Sequence, residues 1–157
     1  MDSRTEPRTG GSTDLVMRRI FEAPIARVFS AWTDPEHFAA WFGPHGSRMT
    51  VCLQDVRPGG QLHFCHHLPD RPEVWVRGIY HEVVAPTLLS FSVGFSDPQG
   101  QHAPRDGFAD LSLVTVQFRD LGGRTEMIIR HAGLRTDQGE GQGWRESLDR
   151  LRNHLTP

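Results

Sequence analysis

Five side chains able to move protons or accept them fall within strand-like segments that are otherwise apolar: Asp55, His66, Tyr80, Glu82 and His131. A carboxylate set against apolar walls has its pKa raised, which suits it to general acid or base work. With an imidazole beside it, Glu82 could shuttle a proton on a bound carbonyl compound, so Glu82, His66 and His131 are the catalytic candidates. The plainer alternative is structural. Asp55 and Glu82 would then be strand-end groups bonded to backbone donors or to Arg57 and Arg77.

Nine His and two Cys invite a metal reading. Strand alternation sends His66 to the face opposite His63, Cys65 and His67. His63 and His67 lie four residues apart along a strand, roughly 13 Å by strand rise, too far to share an ion. A closed zinc site needs four converging ligands, so no metal and no cofactor is expected. The hairpin register read below makes Cys52 and Cys65 cross-strand partners and raises a disulfide. A reducing cytosol favours two free thiols. No G-x-S-x-G elbow is present, and Gly59-Gly60 and Gly122-Gly123 are spaced as hairpin turns, not as phosphate cradles.

The elements that must position these residues are legible from periodicity. Asp14 to Phe21 alternates as a first strand. Pro24 then opens a helix at N1, with Ile25, Val28, Phe29 and Trp32 on one face. Asp34 caps a second short helix with Pro35 at N1 and Phe38, Trp41 and Phe42 facing inward; Gly43-Pro44 ends it. Arg57-Pro58-Gly59-Gly60 reads as a four-residue hairpin loop pairing Gln54 with His63 and Cys52 with Cys65 on one face. The other face then pairs Asp55 with Leu62 and Leu53 with Phe64. Val74–Val84 and Thr87–Phe95 form a second hairpin around Ala85-Pro86. Its shared face carries Val76, Gly78, Tyr80 and Glu82 with Leu89, Phe91, Val93 and Phe95. Residues 96–107 are a long loop and a cavity lip. Leu111–Leu121 and Arg124–Ala132 turn at Gly122-Gly123, with Arg119 opposite Glu126, Phe118 opposite Met127, Val116 opposite Ile129 and Val114 opposite His131. Trp144, Leu148, Leu151 and Leu155 make an apolar stripe on a terminal helix.

With 157 residues the chain suits one domain, residues 13–157, behind a polar, disordered leader over residues 1–12. No apolar run is long enough to span a bilayer and no secretory h-region stands at the start, so cytoplasmic residence is expected. All 17 basic residues are Arg, which reads as the codon bias of a GC-rich, bacterial genome. At a net charge of −2 with no basic stripe, neither nucleic acid nor membrane is an expected partner.

Taken in order, FEAPIARVFSAWTDPEHFAAWFGP, the D-x-R-x-G-G turn at Asp55–Gly60, G-x-Y-x-E at Gly78–Glu82, the Gly122-Gly123-Arg124-Thr125 hairpin and Gly143-Trp144…Leu148…Leu151 resemble one family. It is that of homologues of the heat-shock-protein-90 ATPase activator, within the START-like, polyketide-cyclase-like (SRPBCC) superfamily. The resemblance runs from Asp14 to Leu155 and is closest to the single-domain bacterial type. It implies an α+β helix-grip fold: six or seven antiparallel strands in a curved sheet around a long C-terminal helix, with two short helices after the first strand. It also implies a cavity between sheet and helix.

The expectation is that this cavity binds a small hydrophobic or aromatic molecule. Phe64, Tyr80, Phe91, Trp144 and Leu148 would form the walls, and His66, Glu82 and His131 would orient a polar end. The alternatives are a cyclase, dehydratase or hydrolase using Glu82 with His66 or His131, and a chaperone-associated or stress-response module. Eukaryotic activators dock on the chaperone through a separate amino-terminal domain, for which this chain leaves no room, so a chaperone partner is not expected. A homodimer is left open.

Overall fold

The computed structural model describes residues 13–105, 108–134 and 140–156; the leader expected over residues 1–12 lies outside them. The elements run β1 (Thr13–Phe21), α1 (Ile25–Thr33), α2 (Pro35–Trp41), β2 (Arg48–Gln54), β3 (Gln61–His67), β4 (Val74–Val84), β5 (Leu88–Ser96), β6 (Ser112–Asp120), β7 (Thr125–Leu134) and α3 (Glu140–Leu155). All seven strands join one antiparallel sheet in the order β1-β7-β6-β5-β4-β3-β2. The helical pair therefore carries the chain from one sheet edge to the other. Five consecutive hairpin connections then lead back until β7 closes beside β1. The curved sheet and the terminal helix make the helix-grip architecture the sequence implied.

Local chemistry accounts for the helices. Asp34 caps α2 by accepting from the Glu36 amide at 3.0 Å, with Pro35 at the first helical position. Pro24 stands at the N-cap of α1, one position before the place read for it. Val28, Trp32, Phe38 and Trp41 are buried, as are Leu148, Leu151 and Leu155 on α3. Trp32 is the hub: its ring lies 4.9 Å from that of Trp41, 6.0 Å from Trp144 and 6.5 Å from Phe91. Burying a large apolar side chain contributes roughly 1.5–3 kcal/mol, so this aromatic knot is the main cement between helices and sheet.

The β6–β7 hairpin has the register read from sequence, with Phe118 opposite Met127, Val116 opposite Ile129, Val114 opposite His131 and Arg119 opposite Glu126. The β2–β3 register is shifted by one residue from the one read, and in β4–β5 one face assignment fails. In β2–β3, Gln54 faces Leu62, Leu53 faces His63, Cys52 faces Phe64 and Val51 faces Cys65. The turn spans residues 55–60, because Asp55 belongs to it: its amide donates to Gln61 O at 2.9 Å and its carboxylate takes the Arg57 guanidinium at 2.8–2.9 Å. Asp55 is thus an exposed turn residue, not an interior one, and Leu53 points out of the core with 60% exposure. Gly60 packs so closely on the turn that a Cβ would lie 1.8 Å from Asp55 O. Cys52 and Cys65 are not partners, and both thiols are free.

In β4–β5, Val76, Gly78 and Tyr80 pair with Phe95, Val93 and Phe91 and so share a face with them as expected. A bulge at His81 then puts Glu82 opposite Ser90 and Val83 opposite Leu89. One inserted residue reverses every later side chain.

Candidate ligand-binding cavity

Between β3–β7 and α3 lies a cavity of about 620 Å³. Phe64, His66 and Val76 come from β3 and β4, Phe91, Val93 and Phe95 from β5, Val114 and His131 from β6 and β7, and Trp144 and Ser147 from α3. The rim is made of three connections: Phe42, Gly43 and Pro44 after α2, Arg71 to Glu73 before β4, and Arg105 and Phe108 before β6. Arg105 lies with its guanidinium 4.8 Å from the Phe95 ring centre and 5.4 Å from that of Phe108. The long loop expected as a cavity lip, residues 96–107, supplies Arg105, and Phe108 lies just after it.

His131 is held from both sides. The Trp144 indole N–H can only donate, so His131 Nδ1 accepts at 3.0 Å. The ring proton therefore sits on Nε2, which donates to Ser112 Oγ at 2.7 Å. Burial pulls the His131 pKa down to about 4, so the ring is neutral at pH 7. Both ring nitrogens are engaged, which makes His131 a wall and a strut between strand and helix.

His66 differs. Its ring lines the cavity beside Phe64, and Nδ1 is buried without a hydrogen-bond partner among the described residues. Desolvation, with positive charge from His67, Arg150 and Arg105, lowers its pKa to about 4. The cavity thus joins a neutral imidazole to an electropositive rim.

The turn at Gly43 lies close against His66. Ser147 Oγ accepts from the Gly43 amide at 3.0 Å, and Arg150 donates to the carbonyls of Gly43 and Pro44 at 3.1 Å and to Ser47 Oγ at 2.9 Å. Gly43 has φ +117°, and a Cβ there would lie 2.4 Å from Ser47 Oγ and 3.3 Å from His66 Nδ1. Helix α3 therefore grips the α2–β2 turn as well as the sheet.

Of the residues expected in the site, Phe64, His66, Phe91, His131 and Trp144 meet around the cavity. Tyr80 and Leu148 do not. Tyr80 is buried beneath it, its hydroxyl accepting from Gln54 Nε2 at 2.8 Å, and Leu148 packs in the core. Glu82 is exposed outside the cavity, its backbone amide and a carboxylate oxygen bonded to Ser90 Oγ. The His81 bulge turned it out, and with it goes the acid–base pair built on Glu82. Ser147 carries no sequence signal, whereas Arg105 falls in the loop read as a cavity lip and Gly43 in the Gly-Pro helix stop, neither pattern saying which side chain turns inward.

Residues 22–156 match the family described as "Activator of Hsp90 ATPase homolog 1-like protein". Among solved structures, a protein from Arthrobacter aurescens superposes with TM-score 0.81 at 24% identity, covering 94% of this chain and 88% of its own. Protein CV1439 from Chromobacterium violaceum gives 0.78 at 23%, covering 92% and 97%. A protein from Rhizobium leguminosarum gives 0.75 at 28%, covering 92% and 94%. No curated protein matches the chain. Among the described residues no helix is long and apolar enough to cross a membrane.

Proposed function

The chain belongs to the Activator of Hsp90 ATPase homolog 1-like family, and from that premise we propose that its cavity binds one small aromatic molecule carrying a carboxylate or similar acceptor at one end. The fold is one that holds ligands in a cavity between sheet and helix, and about 620 Å³ falls within the usual range for small-molecule sites. The rings of Phe64, Phe91, Phe95 and Trp144 would take the apolar body.

The observation that carries the reading is His66: an imidazole kept neutral by burial and nearby Arg150 and Arg105, with a ring nitrogen that has no partner among the described residues, in an otherwise aromatic chamber. Unpaired polar groups in apolar surroundings cost free energy that a ligand group can recover. Positive potential from Arg105 at the rim selects an acceptor or anion as that group.

Titration of the full chain with aryl carboxylates and their methyl esters, followed by tryptophan fluorescence, tests this. Saturable quenching is expected for the acids, at least tenfold weaker for the esters, and weakened in Arg105→Gln. Equal affinity for acid and ester would sink the electrostatic part, and no saturable response from any aromatic probe would sink the whole.

A further inference from the structure

We propose that Cys65, His67 and Glu73 form a binding site for a zinc ion, with the fourth coordination position open to solvent. Cys65 and His67 share the face of β3 opposite His66, and Glu73 is brought over them just before β4 begins. Three particular atoms converge: Cys65 Sγ lies 3.7 Å from His67 Nε2 and 3.6 Å from Glu73 Oε2, and Nε2 and Oε2 are 3.3 Å apart. A tetrahedral zinc ion with a thiolate at ~2.3 Å, an imidazole at ~2.0 Å and a carboxylate at ~2.0 Å requires edges of about 3.5, 3.5 and 3.3 Å. The empty triangle already matches those edges to within about 0.2 Å.

The alternative, a thiol activated by a relay, needs the histidine to use its two nitrogens separately, one for the thiol and one for the carboxylate. Here both contacts go to Nε2, so the three groups point at a common centre. The sulfur comes from a fully buried residue, while the His67 and Glu73 side chains are 37% and 46% exposed and leave an entry path. Thiolate, imidazole and carboxylate together suit zinc, and three protein ligands leave one position for water. Binding exchanges the thiol proton for the metal: the S–H bond breaks, a Zn–S bond forms and one proton is released per ion. The sequence alone does not disclose this set, because His63, the other His on that face, lies too far away and Glu73 comes from a connection.

Titration of the full chain with Co²⁺ gives the test. One equivalent is expected to produce tetrahedral visible bands and a thiolate charge-transfer band, both displaced by Zn²⁺ with release of one proton. Cys65→Ser should abolish the charge-transfer band and Cys52→Ser should leave it. Because Cys65 is buried, His67→Gln and Glu73→Gln at the exposed ligands serve as the second arm, each weakening Co²⁺ at least tenfold while the fold is retained. Octahedral bands alone, absence of binding, or wild-type affinity in both exposed variants would overturn the site.

Discussion

Trp144 donates its indole N–H to Nδ1 of His131 at 3.0 Å, a bond that ties α3 to β7 through the cavity wall. Because indole cannot accept, this contact alone decides the tautomer of His131 and hence the direction of the Ser112 bond. Trp144→Phe keeps a ring in the wall but leaves Nδ1 buried and unpaired. A loss of about 1–3 kcal/mol is expected from chemical denaturation at unchanged m-value. A loss below a few tenths of a kcal/mol would show that the bond contributes nothing.

Acid should loosen the same region first. His131 and His66 both have folded pKa values lowered to about 4, from an ordinary 6.5. Between those values the unfolded chain binds more protons than the folded one, so stability is complete above pH 6.5 and is lost as pH falls toward 4. The contribution of His131 at neutral pH is roughly 3 kcal/mol. Urea unfolding at pH 7, 5.5 and 4.5 should give falling midpoints, and His131→Gln should flatten the curve. A midpoint that does not move over that window would contradict neutral burial.

Glu82→Gln is expected to change little. The side chain is exposed, so stability should stay within about 0.5 kcal/mol of the parent and affinity for an aryl carboxylate should stay within twofold. If affinity or stability dropped sharply in thermal melts and fluorescence titrations, the bulge at His81 would not be turning Glu82 out in solution.

Glu82 also marks where the sequence stopped being readable. Period-two alternation correctly gave β6–β7 and half of β4–β5, because a slip there would expose a whole apolar row. A bulge leaves no trace in hydropathy: His81, Glu82 and Val83 alternate the same way whether or not one residue is inserted. The Asp55 turn failed for a related reason, since a carboxylate that closes a turn on Arg57 looks like one more strand residue. The walls were legible where they lay on regular elements, as with Phe64, His66, Phe91, His131 and Trp144. Of the rim only the 96–107 loop was legible, as a lip without named side chains, because Arg105, Phe108 and the Gly43 turn sit on connections whose course is set by tertiary contacts such as the Arg150 clamp.

Gly43→Ala should separate that clamp from the sheet. The added Cβ would collide with Ser47 Oγ at 2.4 Å and crowd His66 Nδ1, at a φ of +117° that only Gly adopts freely. A destabilisation of about 2 kcal/mol or more is expected, with weakened ligand binding because His66 must shift. Hydrogen exchange should locate the loosening in residues 42–47. Protection unchanged there, with the same affinity, would mean that the turn does not position His66.

Filling the cavity from one wall tests its openness without touching any polar group. Val76 faces the chamber between Phe64 and Phe95 on neighbouring strands. In Val76→Trp the indole would enter open space instead of a packed core, where overpacking costs about 1–3 kcal/mol. Stability within about 1 kcal/mol of the parent is therefore expected, together with at least a tenfold loss of affinity for any aromatic ligand, since the new ring takes the place of its body. Denaturation and fluorescence titration on the same sample read both quantities. A variant that is strongly destabilised would indicate that the chamber is closed in solution. One that is stable and still binds like the parent would put the ligand elsewhere.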